Sequence, residues 1–367
     1  MLYKAIGLMS GSSLDGLDIA YVHFQETGGK WSMEIVAAEC YPYTGEWVEK
    51  LKNAIHLSAQ DYMLLHAEYG HYIGREVNRF IAAHHLEHKV DMIASHGHTT
   101  FHMPAQLMTG QIGDGAAIAA ETGLPVISDL RALDVAFGGQ GAPIVPIGEK
   151  LLLADYAFLL NIGGIANLSF RKDDQYFAFD ICAANRVLNM LAQQEGLLMD
   201  AGGQLAAAGS LDPSLLGSLN GLEYYDQPYP KSLANDFGTD IVFPMVADAG
   251  LSTSDALHTY SVHIAAQLKR SLQEISTREG ISLAGQKLLV TGGGALNGFL
   301  VEAIRNELAG TGVEAVVPDR QLIEFKEAVI MALIGVLRWR EEYNVLASVT
   351  GARRNSIGGA LWLGVEA

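Results

Sequence analysis

The sequence predicts a duplicated α/β protein whose two lobes each open on a β-hairpin. The 367 residues exceed what one hydrophobic core usually holds, and 49 % hydrophobic with 18 % charged residues provide enough apolar side chains for two cores. Both halves begin with an apolar strand, a glycine-rich turn and a returning apolar strand. This hairpin-first order argues against an all-parallel sheet in which a helix follows each strand.

The first half starts with a hairpin formed by residues 3–9 and 17–24, with a small, polar tip at 10–15. The elements that follow are a helix at 61–86, a buried strand at 90–95, a helix at 113–122, a short strand at 125–128 and a loop at 138–143. The loop is predicted because its glycines and proline continue neither the helical nor the strand period.

The second half repeats the hairpin, with strands at 156–161 and 168–170 around a glycine-rich tip at 162–167. The later elements are a strand at 176–180, a helix at 185–195, a loop-rich stretch at 201–240, a helix at 255–279, a strand at 287–290, a glycine turn at 291–294, and helices at 296–308 and 328–342. We therefore predict a first lobe of residues 1–130 plus about 343–367, and a second lobe of residues 131–342.

Charge and cysteine content exclude several classes of protein. The net charge is 24 − 41 = −17, which argues against nucleic acid or an anionic membrane as the main partner but leaves an anionic nucleotide open. Cys40 and Cys182 are too few for a disulfide framework. The N-terminus lacks the features of a signal peptide, and the apolar run at 328–337 is too short to span a bilayer. We expect a cytoplasmic protein.

The tip of the first hairpin is either a phosphate-binding loop or an ordinary polar turn. Its residues are Gly11, Ser12, Ser13, Leu14, Asp15 and Gly16. Backbone N–H groups and hydroxyls of such a loop can surround a phosphate, and Asp15 or Asp18 can hold Mg²⁺ directly or through water. The loop is not a Walker motif, because no Gly-Lys-Ser/Thr follows at the required spacing.

Two further glycine clusters suggest nucleotide binding. Gly163 and Gly164 form the second hairpin tip, and a pair of such tips can grip a phosphate chain from two sides. The turn of Gly292, Gly293 and Gly294 lies between a strand and a helix. A tight turn needs only one glycine, and three cost conformational entropy, so we favour close approach of a ligand to the backbone.

Three kinds of polar residue are candidates for the chemistry. Asp180 ends an apolar strand before a helix, so it is either a general base or a helix cap. His96, His98 and His102 have a spacing compatible with zinc, although we prefer the wall of a polar pocket. Glu327 precedes an apolar helical run, so it either lies in the first turn of that helix, where the helix dipole favours it, or contacts substrate hydroxyls.

Taken together, these segments resemble the anhydro-N-acetylmuramic acid kinase family nearly from end to end. The matching stretches are residues 7–18 (GLMSGSSLDGLD), 95–104 (SHGHTTFHMP), 113–119 (GDGAAIA), 129–146 (DLRALDVAFGGQGAPIVP), 160–168 (LNIGGIANL), 179–185 (FDICAAN), 230–232 (PKS), 292–297 (GGGALN) and 348–352 (SVTGA). The order of the stretches is that of the family.

The resemblance implies a two-lobed actin/hexokinase-like fold of the ribonuclease H-like type, with an ATP cleft between the lobes. It implies that ATP, water and 1,6-anhydro-N-acetylmuramic acid give N-acetylmuramic acid 6-phosphate and ADP, in peptidoglycan recycling and amino-sugar catabolism. It further implies a homodimer and Mg²⁺ held near Asp15. The implied site residues are Asp180 as the catalytic base; the residues from Gly11 to Asp18, Gly163, Gly164, Gly292, Gly293, Gly294 and Asn297 for ATP; and His96, Thr99, Arg131, Asn185 and Glu327 for the sugar.

The chain departs from the family pattern at a few positions. Ser12 stands where Thr is usual, His98 where Gln is usual and Gly115 where Pro is usual. After Asp180, the usual Thr-Gly-Pro-Gly is replaced by Ile-Cys-Ala-Ala at 181–184. This segment leaves two alternatives open: a kinase of another sugar or amino sugar, or a nucleotide- or sugar-binding sensor with little catalysis.

Overall fold

The computed structural model describes residues 1–11, 13–173, 175–234 and 236–364. Its contacts divide the chain into two compact units. The first unit comprises Met1–Ala154 and Phe325–Ala367, and the second comprises Asp155–Glu324. Among the described residues, no helix is both long and apolar enough to cross a membrane.

The chain begins with three strands, β1 (Leu2–Ser10), β2 (Gly16–Thr27) and β3 (Lys30–Pro42), followed by two helices, α1 (Gly45–Asn53) and α2 (Ala59–Ala83). The elements that follow in the first unit are β4 (Met92–Met103), β5 (Met108–Ile112), α3 (Gly115–Thr122), β6 (Val126–Ser128), α4 (Ala132–Ala136) and α5 (Pro146–Leu152).

The second unit opens with β7 (Phe158–Ile162), β8 (Ile165–Lys172), β9 (Gln175–Ala183) and α6 (Asn185–Gln193). It continues with α7 (Gln204–Ala208), α8 (Pro213–Asn220), α9 (Phe243–Ala247), α10 (Thr253–Glu279), β10 (Lys287–Thr291), α11 (Gly298–Leu308) and β11 (Glu314–Val316). The last elements are α12 (Arg320–Trp339), α13 (Ala347–Thr350) and β12 (Ala360–Trp362).

Both units contain the same sheet arrangement. In the first unit the strands lie in the order β12–β6–β4–β1–β2–β3, with β5 paired to β4; in the second the order is β11–β10–β7–β8–β9. In each unit, the opening three strands form an antiparallel meander. The first strand of the meander also pairs in parallel with a later strand, β1 with β4 and β7 with β10. This is the ribonuclease H-like order, so the predicted α/β duplication with hairpin-first halves is confirmed.

The observed division of the chain differs from the predicted lobes. Residues 131–154 and 325–342 lie in the first unit, whereas the sequence assigned them to the second. The reason is that α12 lies directly on β1: a Cβ atom added at Gly7 would be 1.8 Å from the carbonyl oxygen of Ala328. Ile144, Ile147 and Phe325 belong to the same buried cluster. Such contacts between distant parts of the chain leave no signal in local periodicity.

Two local predictions also need correction. β3 was not predicted, and it alternates exposed with half-buried residues over most of its length. The last long helix begins at Arg320 rather than at 328, because the Asp319 carboxylate accepts a hydrogen bond from the Leu322 N–H group (2.8 Å) and so caps the helix start. Glu327 therefore lies well inside α12 and not in its first turn.

Candidate active site

The tip of the first hairpin is ordered by its own side chains. The Ser13 hydroxyl and the Gly16 N–H group both donate to one Asp15 carboxylate oxygen, at 2.8 and 3.0 Å. Leu14 has a φ of +57°, a backbone conformation that is uncommon for residues other than glycine and is often found at functional sites. Ser12 lies outside the described residues. Asp18 lies not in the tip but within β2, opposite Met9 of β1.

A second group of predicted residues meets beside β4 in the first unit. The Arg131 Nε–H donates to Nε2 of buried His96 (2.7 Å), and one Arg131 Nη–H donates to the Gly141 carbonyl (3.0 Å). Because Nε2 accepts, the neutral ring carries its hydrogen on Nδ1, which donates to the Gly97 carbonyl (2.9 Å). Burial, and then the nearby Arg131, lower the pKa of His96 to about 3, so the ring stays neutral.

Burial and a nearby carboxylate have opposite effects on the pKa of Arg131. Burial lowers the pKa of Arg131, while the charge of Glu327 acts in the opposite direction. Glu327 is exposed although most of its neighbours in α12 are buried, so its carboxylate is available to a ligand. Thr99 is also exposed, and its hydroxyl accepts a hydrogen bond from the Gln111 amide (3.3 Å). The structure thus brings Arg131 and His96 into contact, with Glu327 near enough for its charge to act on Arg131.

Sequence reasoning missed the support beneath this group. Asp134 is 1 % exposed, and its carboxylate accepts hydrogen bonds from the Gly141 N–H group (2.8 Å) and the Thr350 hydroxyl (2.7 Å). The carboxylate fills the space beside Gly139, where an added Cβ would lie 2.3 Å from it. Asp134 therefore fixes the loop whose Gly141 carbonyl orients Arg131. Its signal in the sequence was its position within the matching stretch 129–146.

The three histidines do not form a zinc site. His96 contacts Arg131, His98 Nδ1 lies 3.1 Å from the buried Ser10 hydroxyl, and the exposed His102 contacts Thr109. Within the described parts of the chain, no group of three or more His, Cys, Asp or Glu residues has a geometry that could hold a metal. The interpretation of a polar pocket wall remains a prediction.

The second hairpin tip is tied to the helix that follows β9. The Gly163 carbonyl accepts a hydrogen bond from the Asn185 N–H group (3.0 Å), and the Gly164 carbonyl accepts from the Ala184 N–H group (2.8 Å). These amides belong to the start of α6, where N–H groups otherwise lack partners within the helix. The second tip is therefore a backbone structure with a fixed position on α6.

The triple-glycine turn has a partly structural explanation. Gly292 has a φ of +78° and Gly294 packs so closely that an added Cβ would lie 2.2 Å from Ile162 Cγ2. Only Gly293 has room, with the nearest atom, Asn185 Nδ2, at 3.6 Å. The argument that one glycine would suffice for the turn was therefore wrong, because packing requires two.

Gly293 opens onto a cavity of about 240 Å³ within the second unit. The cavity is lined by Asn185, Leu188, Asn189, Met199, Asp200, Gly202, Gly293, Leu296 and Asn297. Asn185, which the sequence assigned to the sugar, thus lies with Gly293 and Asn297, which it assigned to the nucleotide. Its side-chain amide donates to the Ile162 carbonyl (3.0 Å) and so joins the start of α6 to the end of β7.

Asp180 lies within β9 at a β-bulge. Asn167 of β8 pairs with Asp180 and the adjacent Ala166 pairs with Cys182, so Ile181 is the extra residue. Bulges redirect side chains and are common next to active sites. The residue before α6 is Ala184, so the helix-cap interpretation of Asp180 is wrong. One carboxylate oxygen of Asp180, Oδ2, accepts from the Ser232 hydroxyl (3.0 Å) and the Leu233 N–H group (2.9 Å).

The atypical segment that follows Asp180 points into the core. Ile181, Cys182, Ala183 and Ala184 are at most 2 % exposed and belong to the main cluster of the second unit. The Tyr260 hydroxyl donates to the Ala183 carbonyl (2.8 Å), and burial raises the pKa of the Cys182 thiol. The departure from the usual sequence therefore changes the packing beneath the site.

Comparison with known proteins decides the family. The sequence model described as "Anhydro-N-acetylmuramic acid kinase" matches residues 3–364. The chain belongs to the anhydro-N-acetylmuramic acid kinase family. A relative of this name from Francisella tularensis subsp. novicida is 32% identical, with 98% of each chain covered. Another, from Paramagnetospirillum magneticum, is 33% identical and covers 96% of this chain and 99% of its own. A third, from Rhodospirillum rubrum, is 31% identical over 98% of this chain and 94% of its own.

Membership of the anhydro-N-acetylmuramic acid kinase family applies to both units, since the match runs through nearly the whole chain. The first unit contains the side-chain-rich tip and the Arg131 group. The second unit contains Asp180, the backbone tip and the cavity beside Gly293.

Proposed function

We propose that this chain is an ATP-dependent kinase that opens 1,6-anhydro-N-acetylmuramic acid by hydrolysis and phosphorylates its O6. The product is N-acetylmuramic acid 6-phosphate, an intermediate of peptidoglycan recycling and amino-sugar catabolism. The family supports this proposal, and the observation that carries it is the carboxylate of Asp180, which a bulge and two hydrogen bonds hold in one orientation.

Asp180 acts as the general base. It takes a proton from a water molecule as the water oxygen bonds to the anomeric carbon. The bond between that carbon and O6 then breaks. O6 attacks the γ-phosphorus of ATP, the bond to the bridging oxygen breaks, and ADP leaves roughly in line with the attack. Only one oxygen of Asp180 is engaged in the hydrogen bonds of the described residues, so Oδ1 is the atom that receives the proton.

The Arg131 group recognises the sugar. The lactyl ether of the substrate carries a carboxylate, and a planar guanidinium binds a carboxylate through paired N–H groups. Two N–H groups of Arg131 are already committed to His96 and Gly141, which fixes the direction of the rest. Exposed Glu327 and Thr99 are suited to accept and donate hydrogen bonds with the sugar hydroxyls and the N-acetyl group.

The two glycine tips and the cavity beside Gly293 bind ATP. Backbone N–H groups at the tips stabilise phosphate charge, and the cavity, with Leu296 and Met199 in its wall, accepts the flat nucleoside. Mg²⁺, when bound, would neutralise charge on the phosphates. Mg²⁺ in such sites usually takes only one or two carboxylates, so Asp15, directly or through water, fits this role. We further propose that the protein is a cytoplasmic homodimer.

The direct test is an NMR assay with the purified protein, ATP, Mg²⁺ and the anhydro sugar. We expect a sugar 6-phosphate to appear with one ADP per sugar opened. Parallel reactions with N-acetylglucosamine and glucose separate this activity from an ordinary sugar kinase, because only the anhydro sugar consumes water. A folded protein that binds ATP but phosphorylates none of these sugars would instead be a nucleotide-binding sensor.

A further inference from the structure

The segment at 231–233 holds the residue on which the proposed reaction depends. Besides the two hydrogen bonds to Oδ2, the Lys231 carbonyl accepts from the Asp180 N–H group (3.0 Å). The Tyr224 hydroxyl donates to the Asp180 carbonyl (2.8 Å). The main chain of Asp180 and one of its carboxylate oxygens are thus fixed from the same side.

The segment is itself anchored on both sides of the serine. The Lys231 ammonium group donates to the Tyr224 and Tyr225 carbonyls (3.2 and 3.4 Å) and lies 4.7 Å from the centre of the Tyr224 ring. Leu233 is buried in the main cluster of the second unit. Ser232 between them is exposed, so its side chain contributes little to packing. The two anchored neighbours fix the position of the Ser232 hydroxyl, which donates its hydrogen bond to Asp180.

Both donors engage the same oxygen, and this has a chemical consequence. Two hydrogen bonds at Oδ2 restrain rotation of the carboxylate about its Cβ–Cγ bond, so that Oδ1 keeps a constant direction. Effective proton transfer needs the base within hydrogen-bond reach of the attacking water, and a small misplacement is costly.

We propose that Ser232 is a positioning residue that, with the Leu233 amide, locks the Asp180 carboxylate with Oδ1 directed at the attacking water. This inference rests on the proposed function, because it assigns Ser232 to the same reaction. Ser232 acts only through Asp180 and has no part in binding either substrate.

The test compares three variants with the full-length wild-type protein. In Ser232→Ala the Leu233 amide remains, so the loss is partial: we expect kcat to fall about tenfold while the KM values for ATP and the anhydro sugar stay within about twofold. Ser232→Thr keeps the hydroxyl at an exposed position and restores kcat to within about threefold of wild type. The matched control is Ser218→Ala in α8, whose hydroxyl donates only to Ser214 of its own helix; it leaves kcat and KM unchanged.

Each other outcome has a distinct meaning. No turnover by the wild-type protein would overturn the proposed function, and this inference with it. An active wild type with an unchanged kcat in Ser232→Ala would overturn the positioning role alone. A rise in KM that Ser232→Thr does not restore would overturn it too, because it would indicate a binding or folding role.

Discussion

The two hairpin tips occupy the same place in the repeated strand order, but they are built differently. In the first unit, the tip between β1 and β2 is stabilised by the side chains of Ser13 and Asp15, and Leu14 takes a left-handed backbone conformation. In the second unit, the carbonyls of Gly163 and Gly164 fasten the tip to the start of α6. The first tip presents side chains, whereas the second presents a fixed backbone.

The third strands of the two meanders, β3 and β9, differ in the carboxylates that they carry. β3 is followed after two residues by α1, and the carboxylate of its Glu39 accepts a hydrogen bond from the Tyr41 hydroxyl and lies 3.3 Å from Nε2 of His84. Both strands contain a bulge, at Val36 in β3 and at Ile181 in β9, but only in β9 does an aspartate, Asp180, lie beside it. The two units therefore share a strand order, whereas the carboxylate that we propose as the general base lies on the third strand of the second unit.

The largest expected effect tests that asymmetry of the third strands. Asp180→Asn removes the base and should lower turnover of the anhydro sugar by about 10³-fold, in the upper part of the range for general-base catalysis. The affinity for ATP, measured by calorimetry, should change little. The matched variant Glu39→Gln removes a carboxylate from β3 and should retain full turnover. Comparable loss in both variants would mean that the third strands are not functionally different.

The next effect tests the packing of the triple-glycine turn against Ile162, the residue before the second tip. Gly294→Ala places a Cβ against Ile162 and should lower the free energy of unfolding by about 1–3 kcal/mol, as overpacked cores do. Gly293→Ala, one residue earlier, has room for the methyl group and should cost much less. Urea denaturation of both variants measures the difference. Equal losses would show that the turn does not rest on Ile162.

The smallest effect concerns the side chains of the first tip. Asp15→Asn keeps the size of the side chain but removes its charge, so the Mg²⁺ concentration for half-maximal activity should rise several-fold, roughly 1 kcal/mol. An exposed carboxylate of the second unit serves as control, and Asp248→Asn should leave the Mg²⁺ dependence unchanged. An Mg²⁺ requirement unaffected by the change at Asp15 would assign the metal to other groups.

Much of this arrangement follows from local sequence. Hairpin tips and strand ends are marked in the sequence by glycines and by alternating apolar residues. For this reason, the duplication and the position of Asp180 near the end of a strand could be predicted. The supports were not, because they join residues far apart in the chain. Asp134 meets Thr350 across more than 200 residues, and Ser232 reaches Asp180 from a stretch that reads only as a loop.

The triple-glycine turn shows the opposite error. The cost of three glycines suggested a ligand, but Ile162 on a distant strand already excludes side chains at two of them. The entropic cost of a glycine can be estimated from the sequence. The neighbouring residue that requires a glycine is known only from the structure. The predicted unit boundaries differ from the observed ones for the same reason, since only the packing of α12 against Gly7 shows that most of this helix belongs to the first unit.

The extra residue in β9 separates two kinds of sequence change. Asp180, on one side of the bulge, carries the carboxylate of the proposed base, whereas Cys182, Ala183 and Ala184, on the other side, are buried in the main cluster of the second unit. We expect exchange of the small residues at 182–184 for larger ones to lower the melting temperature, because their side chains are buried in a packed core.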